Sequence, residues 1–198
     1  MSGNYYLGLD IGTTGIKAVV FDDSGTPCGS GLSEYTLETP EPDIVELDAE
    51  QYWASTREAV KTAVESSGVA PEKIRAMSVT GQAETLIMTG ADHKPLRKAI
   101  VWLDNRAGRE AKIIEREFTS GSLFHLSGQT EMLPCWPAAK ILWFRENEPE
   151  LFAKTEKFLM VEDYIVHKLT GRCATCRGLM PSSLYYDIRT KRYDTEML

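Results

Sequence analysis

Three observations predict an α/β fold for this 198-residue chain. The first 37 residues read as strand, tight turn, strand, turn, strand, which is an antiparallel meander. Helical and strand-like patterns alternate after it. Predicted strands end on polar residues, Asp10, Gln82 and Asp104, and open α/β sheets collect ligands beyond the carboxyl ends of their strands.

Residues 5–10 form an apolar run ending on Asp10, and 16–22, "IKAVVFD", are rich in Val and Ile, so both read as strands. Asp22-Asp23-Ser24-Gly25 supplies a turn, and 28–37 alternate loosely as a third strand. This order differs from the dinucleotide fold, where a helix follows the first strand. The Pro-rich, acidic segment "ETPEPDIVELD" reads as a loop. Asp48 is a helix N-cap, with Gln51 three residues on as in a capping box, and helical spacing runs to Ser67 before Gly68. Residues 74–81, 85–90 and 98–104 read as strands, and a helix follows over 105–117. Further on, helices are predicted over 136–147 and 162–171, and short strands at "KFLMV" and 184–186.

The net charge of −7 argues against a nucleic-acid or anionic-lipid surface, so neither nucleic acid nor membrane is expected as a partner. No apolar run approaches the length of a membrane span, and no secretion signal opens the chain. A cytoplasmic location with reduced thiols is therefore expected for Cys28, Cys135, Cys173 and Cys176. Cys173 and Cys176 form a C-x-x-C with His167 upstream, but four zinc ligands are not evident, so packing is the preferred reading.

The stretch "LGLDIGTTGIK" carries the chemistry. The turn Gly12-Thr13-Thr14-Gly15 crowds backbone N–H groups and two hydroxyls together, which suits phosphate oxygens. Asp10 beside it would repel phosphate unless a cation lay between, which makes it a magnesium-side acid acting through water. Lys17 adds a positive charge for the terminal phosphate. Residues 10–15 alone fit a phosphate site and a plain hairpin equally well.

The longer run "GLDIGTTGIKAVVFDDSG", followed in order by "PDIVELDAEQYW", "MSVTGQAET", "AIVWLDNR", "PAAKILWFRENEPELF", "VEDYIVHKLTG" and "YYDIRTKRYD", resembles the FGGY carbohydrate kinases. These include xylulose, glycerol and gluconate kinases and lie within the actin-like ATPase superfamily. The resemblance spans all 198 residues. It implies an actin-like (ribonuclease H-like) domain, with a mixed sheet that opens on the meander and is flanked by helices. Residues 1–198 would be the amino-terminal domain, without the second domain.

The resemblance also implies ATP and Mg²⁺ as cofactors and a small sugar or polyol as partner; a homodimer is left open. Gly12, Thr13, Thr14 and Lys17 would meet ATP phosphates, with Asp10 near the metal. Gln82, Ala83, Glu84, Trp102, Asp104, Arg106 and Trp136 would line the acceptor. Polyols need hydrogen-bonding side chains and an aromatic face, which Gln82, Glu84 and Trp102 supply. For Trp102 alone, core packing is the commoner role. Asp104-Asn105 also fits a cap on the following helix. Lys140 and Asp163 read as structural, a helix-surface cation and a helix-start acid.

The family's general base, an aspartate, is expected in the part this chain lacks, so no catalytic residue is assigned here and the chain alone is expected to be inactive. "GQAET" matches neither the xylulose pattern G-Q-M-H nor the glycerol pattern N-Q-R-E-T. The expected activity is ATP-dependent phosphorylation of a ketopentose such as xylulose. Glycerol or another polyol is the nearest alternative. A non-catalytic relative that only binds sugar, or an actin-like ATPase without a sugar pocket, would be different classes.

Overall fold

The computed structural model describes residues 3–197. The opening meander forms as read, within a few residues. Strands β1 (Tyr5–Ile11), β2 (Gly15–Asp22) and β3 (Pro27–Glu34) pair antiparallel in succession. The third strand stops three residues short of its expected end. The segment expected to be a loop is instead a hairpin, β4 (Glu38–Glu41) and β5 (Ile44–Leu47). Glu38, Pro40 and Glu41 sit on β4, which is exposed throughout and lies at a sheet edge, where proline is tolerated; Pro42 and Asp43 make the turn.

Helix α1 (Ala49–Ser67) starts on Asp48, whose carboxylate accepts from the Glu50 N–H at 3.0 Å. Gln51 does not close the capping box; its amide turns to Ser55 Oγ at 3.0 Å. Gly68 ends the helix in the left-handed conformation. Strand β6 (Ile74–Gly81) then returns parallel to β1 and completes a four-stranded sheet of order β3-β2-β1-β6. Alternation places Leu7, Leu9, Ile11, Ile16, Ala18 and Val20 on the buried face with Tyr52, Ala59 and Ala63 of α1. The approach is close: a Cβ at Gly31 would lie 2.2 Å from the Ala59 carbonyl oxygen, so only glycine fits there.

Strands β7 (Leu86–Thr89), β8 (Ala99–Ile100) and, later, β9 (Lys157–Met160) join the hairpin in a second sheet, order β4-β5-β8-β7-β9. β8 is far shorter than the expected 98–104, because the chain leaves the ladder at Val101 to make the turn that carries Trp102 and Asp104. Helix α2 (Gly108–Glu117) begins at Ala107 with no side-chain cap, so Asp104-Asn105 is not its cap. Helix α3 (Ser120–Ser127), missed by the sequence reading, is capped by Thr119 and Gly128. Helix α4 (Pro137–Asn147), with proline in its first turn, matches expectation. The one-turn helix α5 (Pro149–Phe152) was not anticipated.

Helix α6 (Val161–Thr170) ends on Gly171, and Asp163 accepts from the Met160 N–H at its start. The last strands are β10 (Tyr186–Asp187) and β11 (Arg192–Tyr193); Leu184, expected in a strand, instead closes a 3-10 turn with φ 65°. Among the described residues no helix is long and apolar enough to cross a membrane.

Candidate active site

Asp10 ends the exposed face of β1, paired across the ladder with Lys17 and, on the other side, with Thr80. These three, with Gly8, Val19 and Ser78, line a shallow cleft of about 230 Å³ on the face of the sheet that α1 does not cover. The Gly12 N–H donates to the Gly15 carbonyl at 3.0 Å, which closes the hairpin turn. A Cβ at Gly12 would stand 2.9 Å from that oxygen, so the turn requires glycine. Thr14 is exposed at the tip and Thr13 is half-buried. Lys17 thus lines the same cleft as Asp10, and the turn closes the hairpin that carries both.

The expected acceptor segment lies directly beside this turn. The Gln82 N–H donates to the Ile11 carbonyl at 2.8 Å, and its Nε2 lies 3.2 Å from the Gly12 carbonyl. Trp102, still 36% exposed, donates Nε1–H to Thr13 Oγ1 at 3.0 Å. Thr85 Oγ1 accepts from the Trp102 N–H and donates to Gln82 Oε1, both at 3.1 Å. The turn and the two strand ends are therefore hydrogen-bonded to each other. Two tyrosines that sequence reading missed complete the support. Tyr35 donates its hydroxyl to the Gly12 carbonyl, and Tyr52 lies under Gln82 Nε2 at 3.3 Å. Their rings meet edge to face at 5.3 Å.

The network also shows where part of the expected site lies. Gln82 is buried, and its amide is engaged with Gly12, Tyr52 and Thr85, so it braces the turn. Asp104 is 0% exposed. It accepts from the Val45 N–H at 2.6 Å and holds Arg106 through Nε at 2.9 Å and a terminal nitrogen at 2.8 Å. Arg106 also reaches Glu46 and lies 4.9 Å over the Trp143 ring. Asp104 and Arg106 therefore tie the β8 end to β5 and α4, and no surface of Asp104 is left for a ligand.

Glu84 and Ala83 remain half-buried at the rim. Glu84 holds φ 63°, a left-handed conformation that is strained for a residue with a Cβ and that clusters at functional sites. Burial raises its carboxyl above the usual range, against the opposing pull of the Ser182 hydroxyl and the Lys140 charge. Trp136 donates Nε1–H to the Glu131 carbonyl at 3.2 Å and is half-buried at the start of α4. It stands one helical turn before Lys140.

Lys140 is not on the helix surface. It is 0% exposed and donates Nζ–H bonds to the Glu84 and Val101 carbonyls at 3.0 and 2.9 Å. Burial pulls its ammonium down to about 8, with Asp104 and other nearby groups opposing. A signal was present: Trp136, Lys140 and Phe144 recur every four residues along one face.

Glu162 was also missed. It is 5% exposed at the start of α6, and neither carboxylate oxygen has a hydrogen-bond partner on another residue. The Val161 N–H donates to the Thr85 carbonyl, which anchors this helix end behind Glu84. Burial, with Asp163, Glu84 and Asp10 nearby, pushes its carboxyl up to about 7 from 4.5. Between those values the folded state holds the proton more tightly than the unfolded chain, so stability falls as pH rises through that window. Glu162→Gln removes the dependence. Relative to wild type, the variant is expected to gain roughly 2–3 kcal/mol on going from pH 5 to pH 8. Urea denaturation at the two pH values measures this, and an unchanged difference would contradict it.

Away from this rim, His93 joins the residues noticed earlier: the Nδ1 atoms of His93 and His167 lie 3.8 and 3.7 Å from Cys173 Sγ. Among the described residues, no group of three or more His, Cys, Asp or Glu side chains stands in metal-holding geometry. Asp10 fits a magnesium ion held mainly by water and phosphate oxygens, since magnesium takes one or two carboxylates and keeps several waters.

Residues 5–198 match the model of the N-terminal domain of the FGGY family of carbohydrate kinases. A glycerol kinase from Thermococcus gammatolerans is 34% identical over 200 residues, covering 98% of this chain and 40% of that protein. A xylulose kinase from Escherichia coli is 28% identical over 193 residues, covering 98% and 39%. The crystal structure of a xyloylose kinase from Brucella ovis superposes with a TM-score of 0.91 at 28% identity, covering 98% of this chain and 40% of that one. The chain thus spans about two fifths of the length of the curated relatives it matches. The α/β architecture with its mixed sheet is the actin-like fold of these kinases. With a match over nearly its whole length, the chain belongs to the FGGY family of carbohydrate kinases.

Proposed function

We propose that the full-length protein transfers the terminal phosphate of ATP to a primary hydroxyl of a small sugar or polyol. One observation carries this reading: the phosphate-type turn and the acceptor segment are joined directly, through Trp102 to Thr13 and Gln82 to Gly12. A donor phosphate on the turn and a hydroxyl at Glu84 would therefore be neighbours.

In this reading Gly12, Thr13, Thr14 and Lys17 bind phosphate oxygens, and Asp10 holds the water shell of a magnesium ion. When bound, that ion neutralises charge on the transferring phosphate. Glu84, Ala83, Trp102 and Trp136 shape the acceptor side. Gln82, Asp104 and Arg106 position it. The proton of the attacking hydroxyl goes to a base outside these residues. Catalysis rests on orientation and charge stabilisation, and closure of the full protein excludes water.

We infer a ketopentose such as xylulose as the first-choice acceptor. Ala83 presents only a methyl group where the glycerol pattern has arginine, which leaves room for a longer chain. Glycerol is the second reading, favoured by Glu84-Thr85 and by the 34% identical glycerol kinase. Incubation of the full-length protein with Mg-ATP and each of glycerol, ketopentoses and gluconate, with products read by mass spectrometry, decides among them. A phosphorylated ketopentose formed with the highest kcat/KM is the expected result. A preference for glycerol would replace the first reading by the second, and no phosphorylated product at all would overturn both.

A further inference from the structure

We propose that Lys140 is a positioning residue of the acceptor site, acting by clamping the Glu84 and Val101 carbonyls together. The proposal rests on the kinase reading above and adds a residue to the same site.

The argument begins with an incomplete ladder. β7 and β8 are paired only at Leu86 and Ile100. Towards the active site the pairing is replaced by side chains. Thr85 Oγ1 takes the Trp102 N–H at 3.1 Å, and Lys140 Nζ takes the Glu84 and Val101 carbonyls at 3.0 and 2.9 Å. Leaving the ladder has two consequences. Glu84 is released into its left-handed backbone, φ 63°, and Trp102 is free to reach Thr13 at 3.0 Å. The carbonyls of Glu84 and of Val101, the residue before Trp102, are thus turned out of the β7–β8 pairing; Val101 also accepts from the Asp104 N–H at 3.0 Å. Lys140 reaches both carbonyls from α4, fully buried, and ties them together through charge-assisted hydrogen bonds. A helix that only packed against the sheet would place an apolar side chain here, as it does one turn on at Phe144.

The charged and titratable groups facing the ammonium are Asp104 and Arg106 after β8, Cys135 before α4, and Glu84. From α2, packed on α4, Arg109 pairs with Glu110 and with Glu146, six residues beyond Lys140. Because burial pulls Lys140 down to about 8 from 10.5, its charge is lost within reach of a kinetic experiment. Two effects then separate. Between those values the unfolded chain binds the proton more tightly, so Lys140's contribution to stability improves as pH rises. The clamp itself weakens, because a neutral amine donates weaker hydrogen bonds. A merely structural lysine would show the first effect without loss of acceptor binding.

The test uses the full-length protein with steady-state kinetics for acceptor and ATP, and thermal melts as the fold check. K140M is expected to lower kcat/KM for the acceptor by about 10²-fold, the scale of a misplaced binding group, with the ATP KM held within about twofold. K140R, which keeps a cation and donors, is expected to recover part of the loss. In wild type, the acceptor KM is expected to rise several-fold between about pH 7 and 9 while the ATP KM stays flat. If K140M does not fold, that wild-type profile decides. An active wild type whose acceptor KM is flat with pH, or a folded K140M with unchanged acceptor kinetics, overturns the proposal alone. A wild type without acceptor-dependent turnover overturns the kinase reading and this proposal with it.

Discussion

Asp10→Ala in the full-length protein is expected to lower kcat by about 10²–10³-fold, the scale seen when one charge-stabilising group is removed from a transition state. The affinity for acceptor should stay within about twofold, because uniform binding is not what Asp10 supplies. The geometry separates the two effects. Asp10 is exposed on the sheet face that carries Lys17 and Thr80, whereas the proposed acceptor rim consists of Glu84, Ala83 and Trp102. Among the described residues no hydrogen bond or ion pair holds the Asp10 carboxylate, so its loss leaves the fold intact. Stopped assays for turnover and calorimetric titration of acceptor measure the two quantities. Near-wild-type turnover would remove Asp10 from the chemistry, and lost acceptor affinity would place it on the wrong side of the site.

Asp104→Ala is expected to act on stability instead, by about 3–5 kcal/mol, the range for breaking a buried ion pair from one side. The carboxylate has no exposure, and it serves the Val45 N–H and the Arg106 guanidinium at once. Its removal orphans a buried backbone donor and leaves Arg106 with Glu46 as its remaining carboxylate. A domain is typically stable by about 5–15 kcal/mol, so this change takes a large share. The denaturant midpoint should fall sharply with little change in slope. A loss below about 1 kcal/mol would mean that the pair is a surface-like contact, worth what exposed pairs are worth.

These two carboxylates show how far the sequence was legible. Both end a strand and precede a turn, and both read as ligand-facing acids. Only the three-dimensional arrangement separates them. Asp10 follows the alternation of β1 onto an open face, whereas Asp104 lies beyond the two-residue strand β8, where alternation no longer dictates direction. The meander, α1 and α6 were readable from their periodicity and the cap or turn at their ends, and α4 from the proline in its first turn. The β4–β5 hairpin was hidden by its prolines and acids, which fall mostly on an exposed edge strand and its turn.

The site was legible as a set of segments and less so as a set of contacts. The turn at 12–15, the 82–85 segment and Trp102 do converge. Gln82 turns inward to brace the turn, and Asp104 and Arg106 pair with each other and with β5, because buried polar groups must find partners. Tyr35 and Tyr52 carry no local motif, since their role depends on β3 and α1 packing beneath the turn. Glu162 had no sequence signal either: an acid in the first turn of a helix ordinarily faces water, and this one is buried by the strand ends around it.

The central claim is that the turn at residues 12–15 and the rim at Glu84 form one site for two reactants. Measuring ATP consumption by the full-length protein with and without acceptor tests it most directly. The account predicts low consumption alone, a large rise when a ketopentose or polyol is added, and loss of that rise in Asp10→Ala. Steady ATP consumption that no sugar or polyol alters would contradict it.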